Sequence, residues 1–243
     1  MKAQTLDELL YRLLRDGPAQ RDVNEILGIK PFDGAAYDPK KGIFLGNPKT
    51  FHGTTPPHYL AFLVGLFDAV AQAIGYHRPA FLDLGSGIGE VVIYAAHRGL
   101  NAYGIDFDEA HHQEAVRKIG IATKTGFTGH GNAKVACGSF FPESFKAERI
   151  LNNPEEDMYA DEHQSPEHRK RDCYPELGIG LGQVDLFYHY QAERVQNILR
   201  LMSEYAKTRS ILALLRVWQD SFQIPPDIRE LGHFRRMHIY QKI

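Results

Sequence analysis

The stretch at residues 81–90 constrains the fold of this chain more than any other part of it. A short apolar run ends at Asp83, and three glycines follow at alternate positions, Gly85, Gly87 and Gly89. From position 90 the apolar residues recur with the period of an amphipathic helix. The order strand, glycine turn, helix is how a nucleotide-binding βαβ unit begins. We therefore expect an α/β fold whose first unit starts here.

The glycine spacing argues against a dinucleotide cofactor. Dinucleotide folds use G-x-G-x-x-G, which lets a helix N-terminus face a pyrophosphate, whereas Glu90 occupies the position of the third glycine. A carboxylate in the first helical turn suits the helix dipole but repels a phosphate, and Asp83 adds a second negative charge on the strand side. The loop suits a cationic ligand better than an anionic one, so a dinucleotide-dependent oxidoreductase is disfavoured.

The sequence Asp83-Leu-Gly-Ser-Gly-Ile-Gly89 resembles the first motif of the class I, Rossmann-like methyltransferases, whose cofactor is S-adenosyl-L-methionine. That cofactor carries a sulfonium and an α-ammonium and lacks phosphate, which agrees with the charge of the loop. The resemblance covers residues 54–140 well and 184–243 loosely. It implies a doubly wound, mostly parallel sheet with helices on both faces, ending in an antiparallel hairpin. Because little chain remains after Val217, we expect this hairpin to be abbreviated or to lack a strand.

The resemblance also implies which residues hold the cofactor. The second strand ends at Asp106, about 20 residues past the glycines, where a carboxylate can accept both ribose hydroxyls. The third strand ends at Ser139, in place of the acid that many family members use for the adenine amine, and Phe140 can stack on the adenine face. Thr55 is predicted to cap the preceding helix, close to the methionine end of the cofactor. The candidate cofactor residues are Thr55, Asp83, Gly85, Ser86, Gly87, Gly89, Glu90, Asp106, Phe107, Ser139 and Phe140.

The methyl acceptor is expected at the end of the fourth strand, where the candidate catalytic residues are Tyr188, His189 and Tyr190. Methyl transfer is an in-line displacement, so the protein has to align the acceptor, exclude water and handle a proton. His189 could take a proton from a hydroxyl, amine or thiol; the alternative is a histidine that packs in the core or shapes the pocket. The Asn/Asp-Pro-Pro-Tyr motif of adenine and amide methyltransferases is absent, which counts against those acceptors.

A weaker similarity links the glycine loop, the Val-Val-Ile-Tyr-Ala that follows it and the Thr-Pro helix start to the non-SET protein-lysine methyltransferases of the disruptor-of-telomeric-silencing type. This similarity keeps a protein lysine side chain among the possible methyl acceptors. Two functions are therefore considered. The leading one is a methyltransferase with an unidentified acceptor; the other is a protein that binds S-adenosyl-L-methionine for assembly or regulation without methyl transfer.

The chain divides into residues 1–53, a helical and loop extension, and residues 54–243, the cofactor-binding domain with an insertion at 142–182. The extension either packs against the domain or closes over the cofactor as a lid. It begins with a capping box at Thr5 and Glu8. Histidines and Cys173 in the insertion lack the spacing of a zinc site, so no metal is predicted.

Composition limits the partners and the compartment. A formal net charge of −2 gives no overall field that attracts nucleic acid, and Arg235 and Arg236 form only a local basic patch, so a small molecule or a protein side chain is favoured as acceptor. Two cysteines make no disulfide framework. The apolar stretch at residues 60–74 is interrupted by Asp68 and Gln72 and is short for a bilayer. Without a recognisable leader, we expect a cytoplasmic protein.

Overall fold

The computed structural model describes residues 5–28, 36–38, 43–45, 55–74, 78–145, 172–190, 195–216 and 222–243. Within these ranges the helices are α1 (Leu6–Asp16), α2 (Gln20–Gly28), α3 (Pro57–Ile74), α4 (Glu90–His97), α5 (Glu109–Lys124), α6 (Tyr174–Leu177) and α7 (Val195–Tyr205). The strands are β1 (Ala36–Asp38), β2 (Ile43–Leu45), β3 (Ala80–Leu84), β4 (Asn101–Asp106), β5 (Asn132–Cys137), β6 (Leu186–Tyr190), β7 (Ile211–Leu215), β8 (Ile228–Phe234) and β9 (Met237–Lys242).

Strands β3 to β9 form one sheet in the order β5-β4-β3-β6-β7-β9-β8. Strands β5 to β7 of this order run parallel, and β9 is antiparallel to both β7 and β8. From β3 the chain winds outward to β4 and β5, then returns to the other side of β3 for β6 and β7. This confirms the predicted doubly wound, mostly parallel sheet. The carboxyl ends of β3 and β6 flank the crevice where such folds bind ligands.

Helices cover both faces of this sheet. On the side called here face one, Phe81 of β3 and Tyr188 of β6 pack with the apolar residues of α3 and α4. On the opposite side, face two, Leu82, Leu84 and Leu214 pack with α6 and α7. Strand residues alternate between the two cores because successive side chains point to opposite faces.

The C-terminal hairpin differs from the expectation. Both strands are present, with seven residues in β8 and six in β9, so the predicted loss or shortening of a strand does not occur. A turn at residues 226–227 leads into β8. A second turn at Arg235 and Arg236 connects β8 to β9.

Helices α1 and α2 pack on the same core as the rest of the domain. The predicted capping box is confirmed: Thr5 accepts from the Glu8 amide, and the Glu8 carboxylate accepts from the Thr5 amide. Leu10 of α1 and Ile26 of α2 belong to the core of face one. A Cβ at Gly65 would lie 2.8 Å from Leu13, so α1 lies very close to α3. Residues 29–35, 39–42 and 46–53 of the extension lie outside the described ranges, so the lid stays a prediction.

Helix α3 is the most apolar long element. By length and composition alone it could cross a membrane, but 61% of it is buried inside the protein. Eleven of its residues, from Pro57 to Val70, are buried. It packs between the sheet and the N-terminal helices, which is the position of a core helix.

Candidate cofactor and acceptor site

The glycine turn between β3 and α4 is hydrogen-bonded to the end of β4. The amides of Gly85 and Ser86 both donate to the carbonyl of Ile105, each at 2.9 Å. The Gly87 amide donates to Oδ2 of Asp106 at 2.7 Å. The neighbouring strand therefore fixes the shape of the turn without any contribution from a ligand.

Two of the glycines have different surroundings. Both have positive φ, 51° at Gly87 and 79° at Gly89, which costs a residue with a Cβ about 1–2 kcal/mol. A Cβ at Gly89 would come within 3.0 Å of the Ala115 Cβ, so this glycine lets α4 and α5 pack closely. A Cβ at Gly87 would meet no atom of the described residues within 4 Å. Gly87 faces open space, where a ligand can approach the backbone.

The Asp106 carboxylate organises the end of β4. Its Oδ2 accepts from Gly87, and its Oδ1 accepts from the Asp108 amide at 2.9 Å. Asp108 caps α5, accepting from the His111 amide. Nδ1 of His111 lies 3.6 Å from Oδ1 of Asp106, and this interaction raises the pKa of His111. A carboxylate has about four acceptor positions, and the two amides and His111 engage about three of them, so Asp106 retains capacity for about one ribose hydroxyl.

Asp83 is the acid of the site that has no cationic partner among the described residues. Its side chain is buried, with the residue 2% exposed, and among the described residues its Oδ1 has no hydrogen-bond partner. Burial, and secondarily the negative charge of Asp106, raise the pKa of Asp83 well above its usual range. A buried polar atom without a partner costs about 1–3 kcal/mol. A cationic donor such as an α-ammonium would satisfy this oxygen and stabilise the ionised form.

Glu90, the second acid predicted to attract a cation, already has a partner within the protein. Its Oε1 lies 3.4 Å from Nζ of Lys118 in α5, and the two side chains are 18% and 9% exposed. Burial raises the pKa of Glu90, and the Lys118 ammonium lowers it. The charge of Glu90 is therefore balanced, and attraction of a ligand cation rests on Asp83 and Asp106.

Ser139, which follows β5, is hydrogen-bonded to the backbone of the turn that comes after the strand. Oγ of Ser139 accepts from the Phe141 amide at 3.0 Å and donates to the Phe141 carbonyl at 3.1 Å. This hydroxyl is therefore not the free group expected at the adenine edge, because its proton is used locally. The Phe140 ring meets the His189 ring edge to face, with centroids 5.6 Å apart. The Tyr174 hydroxyl donates to the Phe140 carbonyl at 2.6 Å and fixes the backbone there.

Tyr188 and His189 point to opposite faces of β6. Tyr188 is 1% exposed on face one, and its hydroxyl lies 2.9 Å from Oγ1 of Thr55. Burial raises the pKa of Tyr188 well above its ordinary value, so the phenol stays protonated. Thr55, predicted to cap α3, bonds this phenol instead among the described residues. The structure does not bring Tyr188 and His189 into one pocket.

His189 lies against the glycine turn with its orientation fixed. Its Nδ1 is hydrogen-bonded to the Leu84 carbonyl, and because a carbonyl only accepts, Nδ1 carries the proton and Nε2 the lone pair. A Cβ at Gly85 would lie 3.9 Å from the imidazole ring. Burial lowers the pKa of His189 to about 4. The neutral, weakly basic ring agrees with either predicted role, a proton acceptor at Nε2 or a wall of the pocket.

Phe107 and Tyr190 complete the predicted set. Phe107 follows Asp106 and is 37% exposed, so it presents an apolar ring to solvent at the edge of the loop. Tyr190 is half-buried and packs against the core of face one, on the same side as Tyr188. Apart from Thr55, which bonds Tyr188 of β6, the predicted cofactor residues thus gather around the ends of β3, β4 and β5. The predicted catalytic residues divide between the two faces.

Sequence reasoning missed three residues that shape this site. His111 lies beside Asp106, Lys118 balances Glu90, and Tyr174 positions the backbone of Phe140. The spacing from Asp108 to His111 is one helical turn, a signal that could have found His111. Tyr174 comes from the insertion, and no local pattern indicates its partner.

No protein-family model matches this chain, and no curated protein matches it. Solved structures do match. An RNA methyltransferase from Salinibacter ruber in complex with S-adenosyl-L-homocysteine is 17% identical, with a TM-score of 0.46, over 78% of this chain and 92% of that one. A geranyl diphosphate methyltransferase in complex with GPP and sinefungin is 14% identical, with a TM-score of 0.37, over 67% and 47%. Monomeric WbdD is 15% identical, with a TM-score of 0.46, over 90% and 48%. This chain spans about half the length of the last two proteins.

The architecture itself is specific. Strand order reverses beside β3, the glycine turn leaves the carboxyl end of that strand, and an antiparallel hairpin closes the far edge with its second strand inserted next to β7. The chain therefore has a doubly wound, Rossmann-like α/β fold, the architecture that the sequence resemblance to the class I methyltransferases implies.

Proposed function

We propose that this protein is an S-adenosyl-L-methionine-dependent methyltransferase that moves the cofactor methyl to an acceptor by in-line displacement. One arrangement carries the proposal. The unpartnered buried oxygen of Asp83, the open space at Gly87 and the remaining acceptor capacity of Asp106 lie at the carboxyl ends of β3 and β4 and in the glycine turn. Asp83 can bind an ammonium, Gly87 lets a ligand approach the backbone, and Asp106 can accept from a ribose. Two neighbouring acids disfavour a pyrophosphate at the same place.

The residues of the chain then have distinct tasks. The cofactor, when bound, supplies a methyl group activated by a positively charged sulfur. Asp83 accepts hydrogen bonds from the ammonium, and Asp106 accepts one from a ribose hydroxyl. Phe107 and Phe140 offer apolar surface to the adenine, which can stack on a ring face. Nε2 of His189, on face two, would accept the proton that the methyl acceptor loses.

We further propose a small molecule or a protein side chain as acceptor, in preference to nucleic acid. The formal net charge of −2 supports this, because no overall field would attract a polyanion. Transfer assays at rising salt test the preference. Activity that falls steeply with salt, as counterion release requires for a phosphate-rich acceptor, would contradict it.

Calorimetric titration of the purified protein tests the cofactor. S-adenosyl-L-methionine and S-adenosyl-L-homocysteine should each bind with one site per chain, and NAD should not bind. Tight binding of NAD, or no binding of either sulfur nucleoside, would overturn the proposal.

A matched pair of glycine variants locates the binding site. Gly87→Ala and Gly99→Ala both place a Cβ at positive φ, 51° and 87°, with no described atom within 4 Å. Both should therefore lose similar stability, about 1–2 kcal/mol. Only Gly87→Ala should also weaken the binding of S-adenosyl-L-homocysteine, because the alanine methyl group would occupy the space proposed for the ligand. Equal affinity in the two variants would place the ligand elsewhere.

Transfer of a labelled methyl group into cell extract separates the enzyme from the alternative function. Label that appears in a protein or a small metabolite supports methyl transfer. Stoichiometric cofactor binding with no transfer into any fraction would favour a protein that uses the cofactor for assembly or regulation.

A further inference from the structure

A cluster of metal-ligating side chains lies on the C-terminal hairpin, outside the proposed cofactor site. Oε1 of Glu230 on β8 lies 2.7 Å from Nδ1 of His238 on β9. His233 lies directly opposite His238 in the strand register, with ring centroids 5.3 Å apart. One ligand atom from each of the three residues lies within 4.8 Å of the other two.

A β-bulge brings these side chains to the same side of the sheet. Glu230 and His233 are three residues apart, and regular alternation would point them to opposite faces. The register shifts between Glu230 and Gly232, where β8 carries an extra residue relative to β9. The bulge reverses the alternation, so that Glu230, His233 and His238 share face two. Bulges commonly redirect a side chain near a functional site.

The cluster lies on the same face as His189. Directly opposed residues share a face, and the register pairs His189 with Leu214 and Leu214 with His238. Two strand spacings, about 10 Å, therefore separate the backbones at His189 and His238. The buried ring of Tyr240 stacks with the ring of His238, with 6.3 Å between their centroids.

We propose that Glu230, His233 and His238 bind a divalent transition-metal ion of the zinc type. Two imidazoles and one carboxylate are a ligand set that leaves the fourth tetrahedral position open to water or another ligand. Zinc–nitrogen bonds of about 2.0–2.1 Å require ligand atoms about 3.4 Å apart, and rotation of the exposed His233 side chain can bring it to that distance. The ion would replace the proton between Glu230 and His238.

The donor chemistry selects the ion. Imidazole nitrogen suits zinc, nickel and copper, whereas magnesium prefers several oxygen ligands in an octahedral arrangement. The proposal is independent of methyl transfer.

Metal-stripped full-length protein tests the site by calorimetric titration with Zn²⁺, Ni²⁺ and Mg²⁺. Wild-type protein should bind one equivalent of Zn²⁺ or Ni²⁺ and no Mg²⁺. His233→Ala and His238→Ala should each weaken binding by at least about tenfold, since even the loss of an outer-shell partner costs that much. The control His130→Ala removes an exposed histidine from a distant turn and should leave binding unchanged.

Cobalt(II) spectroscopy identifies the ligands. Nitrogen and oxygen ligands should give visible d–d bands without the intense near-ultraviolet band of a thiolate, which separates the cluster from Cys137 and Cys173. Circular dichroism checks that His233→Ala, an exposed substitution, remains folded. Binding that persists in a His233→Ala/His238→Ala double variant, a thiolate band in the cobalt spectrum, or no binding by the wild type would each overturn the proposal.

Discussion

Cofactor binding at Asp83, as proposed, should be coupled to the protonation of its carboxyl group. Its pKa is raised in the folded protein, so folding favours the neutral carboxyl. The stability from this group is fully present below the unfolded pKa of about 3.9 and is lost as pH rises through the raised folded value. Binding of an ammonium requires the ionised form, so the ligand restores a charge that the unliganded fold disfavours.

Asp83→Asn should therefore have opposite effects on stability and on binding. In urea titrations between pH 4 and 8, the free energy of unfolding of the wild type should fall relative to that of the variant as pH rises. S-adenosyl-L-homocysteine should bind the variant about 10- to 100-fold more weakly, the effect of one charged hydrogen bond.

Asp185→Asn is the control, because Asp185 accepts from the Ala80 amide at the other end of β3 and pairs with Lys207. It should lower stability and leave the affinity for S-adenosyl-L-homocysteine unchanged. Unchanged affinity in Asp83→Asn as well would remove the role of Asp83 in binding.

The buried hydrogen bond between Thr55 and Tyr188 links the start of α3 to β6. Thr55→Val or Tyr188→Phe alone should cost about 1–3 kcal/mol, because each leaves the other hydroxyl buried without its partner. The double variant should cost less than the sum, with a coupling of about 0.5–3 kcal/mol measured by urea unfolding. Additive costs would show that the two hydroxyls do not depend on each other.

At the scale of elements, alanine substitutions at Gly131 and Gly120 distinguish a steric clash from a change in helix propensity. A Cβ at Gly131 would lie 1.9 Å from the Ala96 carbonyl oxygen, a backbone atom that cannot move aside easily. Gly131→Ala should lower the free energy of unfolding by about 3 kcal/mol or more, at the upper end for overpacking. Gly120→Ala, inside α5 with no described atom within 4 Å of the new Cβ, should raise it by about 0.5–1 kcal/mol. Thermal and urea unfolding measure both.

Elements with local signals could be predicted from the sequence. The glycine turn, the capping box at Thr5 and the cap at Asp108 depend on residues a few positions apart, so their patterns are visible in one stretch. The hairpin turn has no such signal, because it uses Arg235, at φ 55°, where glycine or asparagine is usual. The length of the two hairpin strands could therefore not be predicted from the sequence.

Side-chain partners distant in the sequence could not be predicted. Thr55 and Tyr188 are separated by 133 positions, and the pairing of Glu90 with Lys118 depends on how α4 and α5 pack. The local signal at Thr55 correctly indicates a helix start, but the tertiary contact decides where its hydroxyl goes. For the same reason, alternation predicts that Tyr188 and His189 diverge, yet only the packed cores show what each side chain meets.

At the scale of the whole molecule, Arg98 joins the N-terminal helices to the domain. Its guanidinium lies 3.4 Å from Asp22 and 3.7 Å from Glu25 of α2, and 3.2 Å from Asp68 of α3. Arg98 and Asp22 are largely buried, whereas Glu25 and Asp68 are 42% and 47% exposed. The ion pair of Arg98 with Asp22 is therefore largely desolvated, whereas its pairs with Glu25 and Asp68 are screened by solvent.

Arg98→Met should lower stability by about 1–3 kcal/mol, less than the loss of a fully buried pair because two of the partners reach solvent. Hydrogen exchange should accelerate most in α2, whose Asp22 would lose its buried cation and keep only the exposed Arg21, 3.6 Å away. Arg117→Met removes an exposed pair with Glu114 and should cost less than about 1 kcal/mol. Equal losses in the two variants would contradict the role assigned to Arg98.

The order of the last strands has a consequence for synthesis on the ribosome. Strand β8 is made before β9 but touches the main sheet only through β9. While the chain is emerging, β8 has no strand to join, and the edge of β7 stays uncovered. A nascent chain at this stage exposes a long apolar edge, which is a hazard for aggregation. Arrest of translation just before β9 should thus produce chains that bind chaperones, whereas a few more residues should release them.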